Sequence, residues 1–291
     1  MKTALWIAAL VIAGLAAFAA GVVWRLWRRF TGRHMKRGAF KAHRALIEPH
    51  LKTVYPPGPG PFPAVLLLHG CGGVRRIMQA YADAAAKAGV AAIIVDSHTP
   101  RGIDYQAALA SVCTGRRLWA RERAADLHAA LAVARDDPRL DKDRLALAGW
   151  SHGGWTILDA FALHADGAVP DGLDEPPPGA FDGVKAVFLV YPYVSGPALA
   201  RRRDFIPPAP VEAVLVEDDA MASDADAAEV FAGLKKKGAS VSWSTLGGVT
   251  HGFDEPDHHP DSKLLYDAEA TARTRADFID LLQRKLKPRP V

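Results

Sequence analysis

The sequence predicts a doubly wound α/β domain, with a mostly parallel sheet and helices on both faces, preceded by one N-terminal helix long enough to span a bilayer. Three observations carry this reading. Short, wholly apolar runs recur along the chain, as strands buried on both faces require. They alternate with longer Ala- and Leu-rich stretches, the pattern of right-handed βαβ crossovers. Ala4 to Trp24 is a run of 21 residues without a charge, enough to cross the hydrocarbon core as a helix. At 291 residues and 49% hydrophobic content, the chain can hold one large α/β domain with a sizeable core.

The N-terminal segment is set apart by charge. No Asp or Glu precedes Glu48, while residues 1–47 hold nine Lys and Arg. Subtracting those nine from the 36 basic residues leaves 27 against 32 acids, a net of −5 for the rest of the chain. The basic balance therefore belongs to the tail, and nothing beyond it resembles a nucleic-acid footprint. Trp24 and Trp27 stand where interfacial aromatics lie, and Arg25, Arg28, Arg29, Arg33, Lys36 and Arg37 follow. By the positive-inside rule this flank stays in the cytoplasm. The expectation is a membrane anchor within residues 1–24, with residues 4–24 in the bilayer, a basic linker over 25–50, and a folded domain over 51–291 on the cytoplasmic side. The alternative is a secretory signal cleaved near Ala17-Phe-Ala19, with the domain exported. Cys71 and Cys113 are expected to be free thiols in a cytoplasmic domain and able to pair in an exported one.

Within the domain, Pro56-Pro-Gly-Pro-Gly-Pro61 breaks the chain before the sheet. Strands are predicted at Ala64–Leu68, Val90–Val95, Leu145–Ala148, Val184–Val190, Val211–Val216 and Val241–Thr245. Helices are predicted at Ile77–Ala88, closed by Gly89, and at Leu118–Arg135, ended by Asp136-Asp-Pro138. Others follow at Gly154–Leu163, at Ala225–Lys237, closed by Gly238, and at Leu264–Leu286. Asp171–Gly179 reads as a loop insertion too short for a lid, and residues 191–210 as a loop able to cover the site.

The chemistry gathers at the carboxyl ends of those strands, the rim where open α/β sheets bind ligands. Gly149-Trp150-Ser151-His152-Gly153 sits at a strand-to-helix corner, and a serine between glycines there has the form of a nucleophile elbow. A serine hydroxyl needs an imidazole to take its proton and a carboxylate to orient that imidazole. The chain supplies them in the order serine, acid, histidine: Glu217-Asp218-Asp219 follows one strand, and His251, between Thr250 and Gly252, follows the last. Asp219 is the chosen acid, with Asp218 as the alternative. An oxyanion hole needs two backbone N–H donors; they are assigned to His152 and to Cys71 of the loop His69-Gly-Cys-Gly-Gly73. A dinucleotide or P-loop reading of that loop fails on spacing, and Cys71 lacks the elbow that marks Ser151.

These motifs, with Asp96-Ser-His-Thr-Pro-Arg-Gly102 and the Thr-His-Gly-Phe ending, resemble the dienelactone hydrolase family of α/β-hydrolases over roughly residues 51–291. The resemblance implies the α/β-hydrolase fold, ester or lactone hydrolysis, and no metal or organic cofactor. The enzyme that names the family uses a cysteine nucleophile, whereas this chain has Ser151, which fits serine esterases sharing the fold. The expected partner is a small ester or lactone.

Other residues carry weaker expectations. Arg101 could hold a substrate carboxylate or form a structural ion pair. Trp150 and Trp155 could line an acyl pocket or pack beneath the elbow. Arg116, Arg117, Arg121 and Arg123 read as a solvated helix start. Asp254, Asp257, His258, His259 and Asp261 suit a surface turn better than a metal site.

Overall fold

The computed structural model describes residues 2–30, 35–258 and 262–286 and divides into two compact units, Met1–Arg37 and Gly38–Val291. The first unit carries a single helix, α1 (Lys2–Phe30). Its stretch Leu10–Arg28 has a mean hydropathy of 1.8 and is long and apolar enough to cross a membrane, a property that a signal sequence shares. Trp24 and Trp27 stack along it at 5.0 Å.

The second unit begins with α2 (Phe40–Ile47) and β1 (Leu51–Val54). The linker expected to reach residue 50 therefore gives way to folded chain from Gly38. Phe40 and Ile47 are the reason: their apolar side chains are buried against Ala125, Ala129 and Leu173. Then follow β2 (Phe62–Leu68), α3 (Arg76–Lys87), β3 (Ala91–Val95) and the short α4 (Tyr105–Ala107). The chain continues through α5 (Ala120–Asp136), β4 (Leu140–Trp150), α6 (His152–Ala165) and β5 (Val184–Val190). It ends with β6 (Val211–Val216), α7 (Asp224–Lys236), β7 (Val241–Leu246) and α8 (Ala268–Lys285).

The seven strands form one sheet in the order β1-β3-β2-β4-β5-β6-β7. All neighbours run parallel except β1, which pairs antiparallel with β3. The sequence reading missed β1, whose half-polar Leu-Lys-Thr-Val gives no apolar run. Side chains alternate across the strands, so each strand feeds two cores. Leu66, Ile93 and Leu147 meet α5, α6 and α7 on one face. Leu67, Ile94 and Phe188 meet α3 and α8 on the other. Both faces are covered, as a parallel sheet requires.

Candidate active site

The corner between β4 and α6 holds Ser151 at φ 49°, ψ −111°, left-handed backbone that a non-glycine residue adopts only when its surroundings impose it. The flanking glycines show what imposes it. A Cβ on Gly149 would lie 2.6 Å from the Gly153 carbonyl carbon, and one on Gly153 would lie 2.0 Å from the Leu68 carbonyl oxygen. Only bare backbone fits, and the turn is pinned by Ser151 N–H donating to Val190 O (2.9 Å) and Tyr193 N–H donating to Ser151 O (3.1 Å).

The loops after β6 and β7 meet that corner. His251 Nε2 lies 3.0 Å from Ser151 Oγ, and His251 Nδ1 lies 2.7 Å from Asp219 Oδ2. With its proton on Nδ1, the ring donates to the carboxylate and accepts from the hydroxyl. The other carboxylate oxygen accepts the Met221 and Ala222 N–H groups at 2.8 and 3.0 Å, so Asp219 is fixed from both sides. Asp218 adopts φ 54° and points to solvent; this kink turns the next side chain inward and separates the two candidate acids. Behind the imidazole, Tyr191 packs at 4.5 Å between ring centroids.

Gly70 brings its loop close to the serine: a Cβ there would lie 3.7 Å from Ser151 Cβ. Cys71, next in the chain, lines two cavities that both open onto Ser151. His152 is the first residue of α6, so its N–H belongs to the unpaired set at a helix N-terminus, where the helix dipole favours negative charge. Cys71 and Cys113 form a disulfide, the pairing expected for an exported domain rather than a cytoplasmic one, and it ties this loop to the segment after α4.

For several residues the contacts fit one of the alternatives that the sequence left open, and for others they differ from the expectation. Arg101 is not free for a substrate: Nη1 and Nη2 donate to the Asp126 carboxylate at 3.0 and 2.8 Å. Burial alone would raise the Asp126 carboxyl, but Arg101 and His43 reverse this and hold it at about 2. Trp150 is 1% exposed and donates its indole N–H to Asp254 (2.9 Å), so it packs under the elbow and reaches the cavity that holds His251 only at its edge. Trp155, bonded to Asp159 (2.8 Å), does reach a cavity wall. Asp254 is no surface turn; it is fully buried and also accepts the hydroxyls of Tyr81 and Tyr191. His259 and Asp261 lie outside the described residues, and no group of metal-ligand character occurs among the described ones.

Arg121 and Arg123 are buried, contrary to the solvated helix start expected of them. Arg121 donates to Asp171 (2.8 Å). Arg123 is the residue that sequence reading missed. Its Nη1 donates to His69 O (3.0 Å) and to His152 Nδ1 (2.9 Å), and its Nε to Ser97 Oγ (3.1 Å). One guanidinium thus braces both the loop bearing Cys71 and the residue after Ser151. Burial lowers it to about 10, and nearby Asp126 offsets part of that. The same burial, with the Arg123 charge, keeps His69 and His152 well below the usual histidine range. No spacing signal marks Arg123; a lone arginine in a helix start has the same appearance when exposed.

The sheet order, the helices on both faces and a serine on a strained strand-to-helix corner define the class: an α/β-hydrolase. Residues 52–170 match the model of the dienelactone hydrolase family, and over that part the chain is similar to hydrolases of that family. Similar solved structures agree in fold. A dienelactone hydrolase-like promiscuous phosphotriesterase from metagenomic libraries superposes with a TM-score of 0.62 at 20% identity, covering 81% of this chain and 92% of that one. A dienelactone hydrolase from Anabaena variabilis gives 0.54 at 19% identity, covering 81% and 92%. Esterase 2 of Thermogutta terrifontis, phosphoramylated by tabun, gives 0.58 at 15% identity, covering 82% and 91%. No curated protein matches the sequence.

Proposed function

We propose that the chain hydrolyses a carboxylic ester or lactone through an acyl-enzyme on Ser151. The observation that carries this is the unbroken hydrogen-bonded line Ser151–His251–Asp219 at the mouth of two cavities. Ser151 Oγ attacks the carbonyl carbon while His251 Nε2 takes its proton; Asp219 holds the imidazole in register and stabilises its charged form. The Cys71 and His152 N–H groups receive the oxyanion. Collapse expels the alcohol, which leaves with the proton from His251. Water then attacks the acyl-enzyme with the same histidine as base, and the acid departs. A neighbour of this fold is recorded as phosphoramylated by tabun, which makes a fluorophosphonate the natural probe. Labelling of the wild type, abolished in Ser151→Ala with the fold intact, is expected. A folded wild type that resists the probe and turns over no ester would overturn the reading.

The helix α1 anchors the protein or directs its export. The basic flank argues for the cytoplasmic side. The Cys71–Cys113 disulfide favours the second reading, an exported catalytic unit, because reducing cytoplasm keeps thiols open. Alkylation of intact cells followed by mass analysis decides: a protected, oxidised pair means the oxidising side, and two alkylated thiols mean the cytoplasm.

A further inference from the structure

Two cavities leave Ser151 in different directions, and they differ in which half of the site they contain. The smaller, of about 340 Å³, runs beside His152 and is walled by Val112, Trp119, Trp155, Tyr193 and Pro197. The larger, of about 500 Å³, contains His251 and extends past Tyr105 and Leu109 to Glu255 and His258. Cys71, Cys113, Ser151 and Met221 line both, so the disulfide and Met221 stand where the two diverge.

Acyl transfer distinguishes the two directions. The departing alkoxide takes its proton from His251 Nε2, so the alcohol must lie on the side where that nitrogen is exposed. The larger cavity has His251 in its wall and the smaller does not. The acyl group is left to the smaller cavity. Among the described residues, no lysine, arginine or carboxylate lines that cavity; of its two titratable side chains, the His152 ring is bound through Nδ1 to Arg123, and the Tyr193 phenol is pushed up by burial. The arginine that could have met a substrate carboxylate, Arg101, is committed to Asp126. Aromatic walls suit a flat apolar group. The alcohol side carries Glu255, His258, Ser262 and Lys263 within a largely apolar cleft, donors and acceptors that can meet hydroxyls. A lactone holds both halves in one ring and cannot send them in two directions.

Resting on the hydrolase reading above, we propose that the substrate is an open-chain ester of an uncharged, aryl-bearing acid with a hydroxylated alcohol, the acid seated between Trp119, Trp155 and Tyr193 and the alcohol toward Glu255. In acylation, the Ser151 Oγ–carbonyl carbon bond forms and the carbonyl carbon–alcohol oxygen bond breaks; the serine proton passes through His251 to the alcohol. In deacylation, water supplies the new C–O bond, and its proton returns through His251 to Ser151. Burial pushes Glu255 up to about 7, helped by Asp254, so near neutrality its carboxyl can donate as well as accept.

The two steps separate the two cavities experimentally, because the alcohol has left before deacylation begins. The test uses the full chain with p-nitrophenyl and glyceryl esters of 3-phenylpropanoic, butanoic and succinic acids. Acylation is read from the burst with the p-nitrophenyl esters and deacylation from the following steady state. Tyr193→Ala and Thr114→Trp, at the smaller cavity's wall and rim, are expected to slow deacylation of the phenylpropanoyl-enzyme about tenfold or more. Glu255→Gln and Leu109→Trp are expected to leave deacylation unchanged and to lower kcat/KM for the glyceryl ester. The phenylpropanoyl ester is expected to outrun the succinyl ester by a similar factor. Deacylation sensitive to Glu255→Gln and Leu109→Trp but not to Tyr193→Ala and Thr114→Trp would reverse the assignment and overturn the proposal, as would preference for the succinyl ester. Absence of any burst, with no fluorophosphonate labelling, would instead remove the hydrolase reading beneath it.

Discussion

Asp219 and Asp218 are neighbours in sequence with opposite surroundings, one accepting from His251 and two backbone N–H groups, the other turned to solvent at φ 54°. Asp219→Asn is therefore expected to lower kcat by about 10³–10⁴-fold, since the amide favours the wrong imidazole tautomer. Asp218→Asn is expected to change kcat by less than about threefold; steady-state kinetics on one ester checks both. Arg123 acts through others. By holding His69 O and His152 Nδ1 with one nitrogen, it fixes the spacing of the two proposed oxyanion donors. Arg123→Met is expected to lower kcat about tenfold or more, with KM little altered, and to slow labelling by fluorophosphonate in proportion. If melting temperature fell while kcat of the folded protein stayed intact, the brace would be merely structural.

At the scale of elements, the crossing of β4 and α6 is tight enough to be tested by one methyl group. Gly153→Ala places a Cβ 2.0 Å from the Leu68 carbonyl oxygen, against backbone that cannot move aside, and is expected to cost about 3 kcal/mol or more. Gly233, inside α7, has nothing within 4 Å of an added Cβ, and Gly233→Ala is expected to stabilise by about 0.5–1 kcal/mol. Urea unfolding of the pair measures both signs. The contrast separates a glycine required by close approach from one that merely dilutes helix propensity.

Across the whole molecule, burial of neutral histidines makes stability depend on acid. His128, packed on Phe181 at 4.9 Å, is lowered by desolvation, and by the charge of His164 and Arg135, to about 3. The unfolded chain binds this proton near pH 6.5 and the native one does not. The contribution is thus complete above pH 6.5 and is lost as pH falls toward 3, at on the order of 1 kcal/mol per pH unit. His128→Gln is expected to flatten the fall in urea midpoint between pH 6.5 and 4 relative to wild type. An unchanged slope would show that His128 takes up its proton in the native state. Asp159, raised to about 7 mainly by desolvation, works in the opposite sense, which is why the comparison is made between variant and wild type.

How much was legible follows from the range of each interaction. The apolar runs that become β2 to β7, the glycines around Ser151, and the order serine, acid, histidine are local patterns, and local sterics and strand burial fix what they mean. Sequence alone therefore located β2 to β7, the elbow, and the candidates Ser151, Asp219 and His251 that the fold brings within hydrogen-bond reach. The rest rests on partners remote in the chain. Arg101 meets Asp126, Arg121 meets Asp171, Trp150 meets Asp254, and Cys71 meets Cys113, and no spacing announces such pairs. Whether a charged side chain is a ligand for substrate or a brace within the core depends on burial and on what faces it. Tertiary structure alone decided that Arg101 is spent on an ion pair, that Arg123 braces His69 and His152 behind the proposed oxyanion donors, and that two cavities reach Ser151. Each is set by which chain segments the folded sheet brings within a few ångströms.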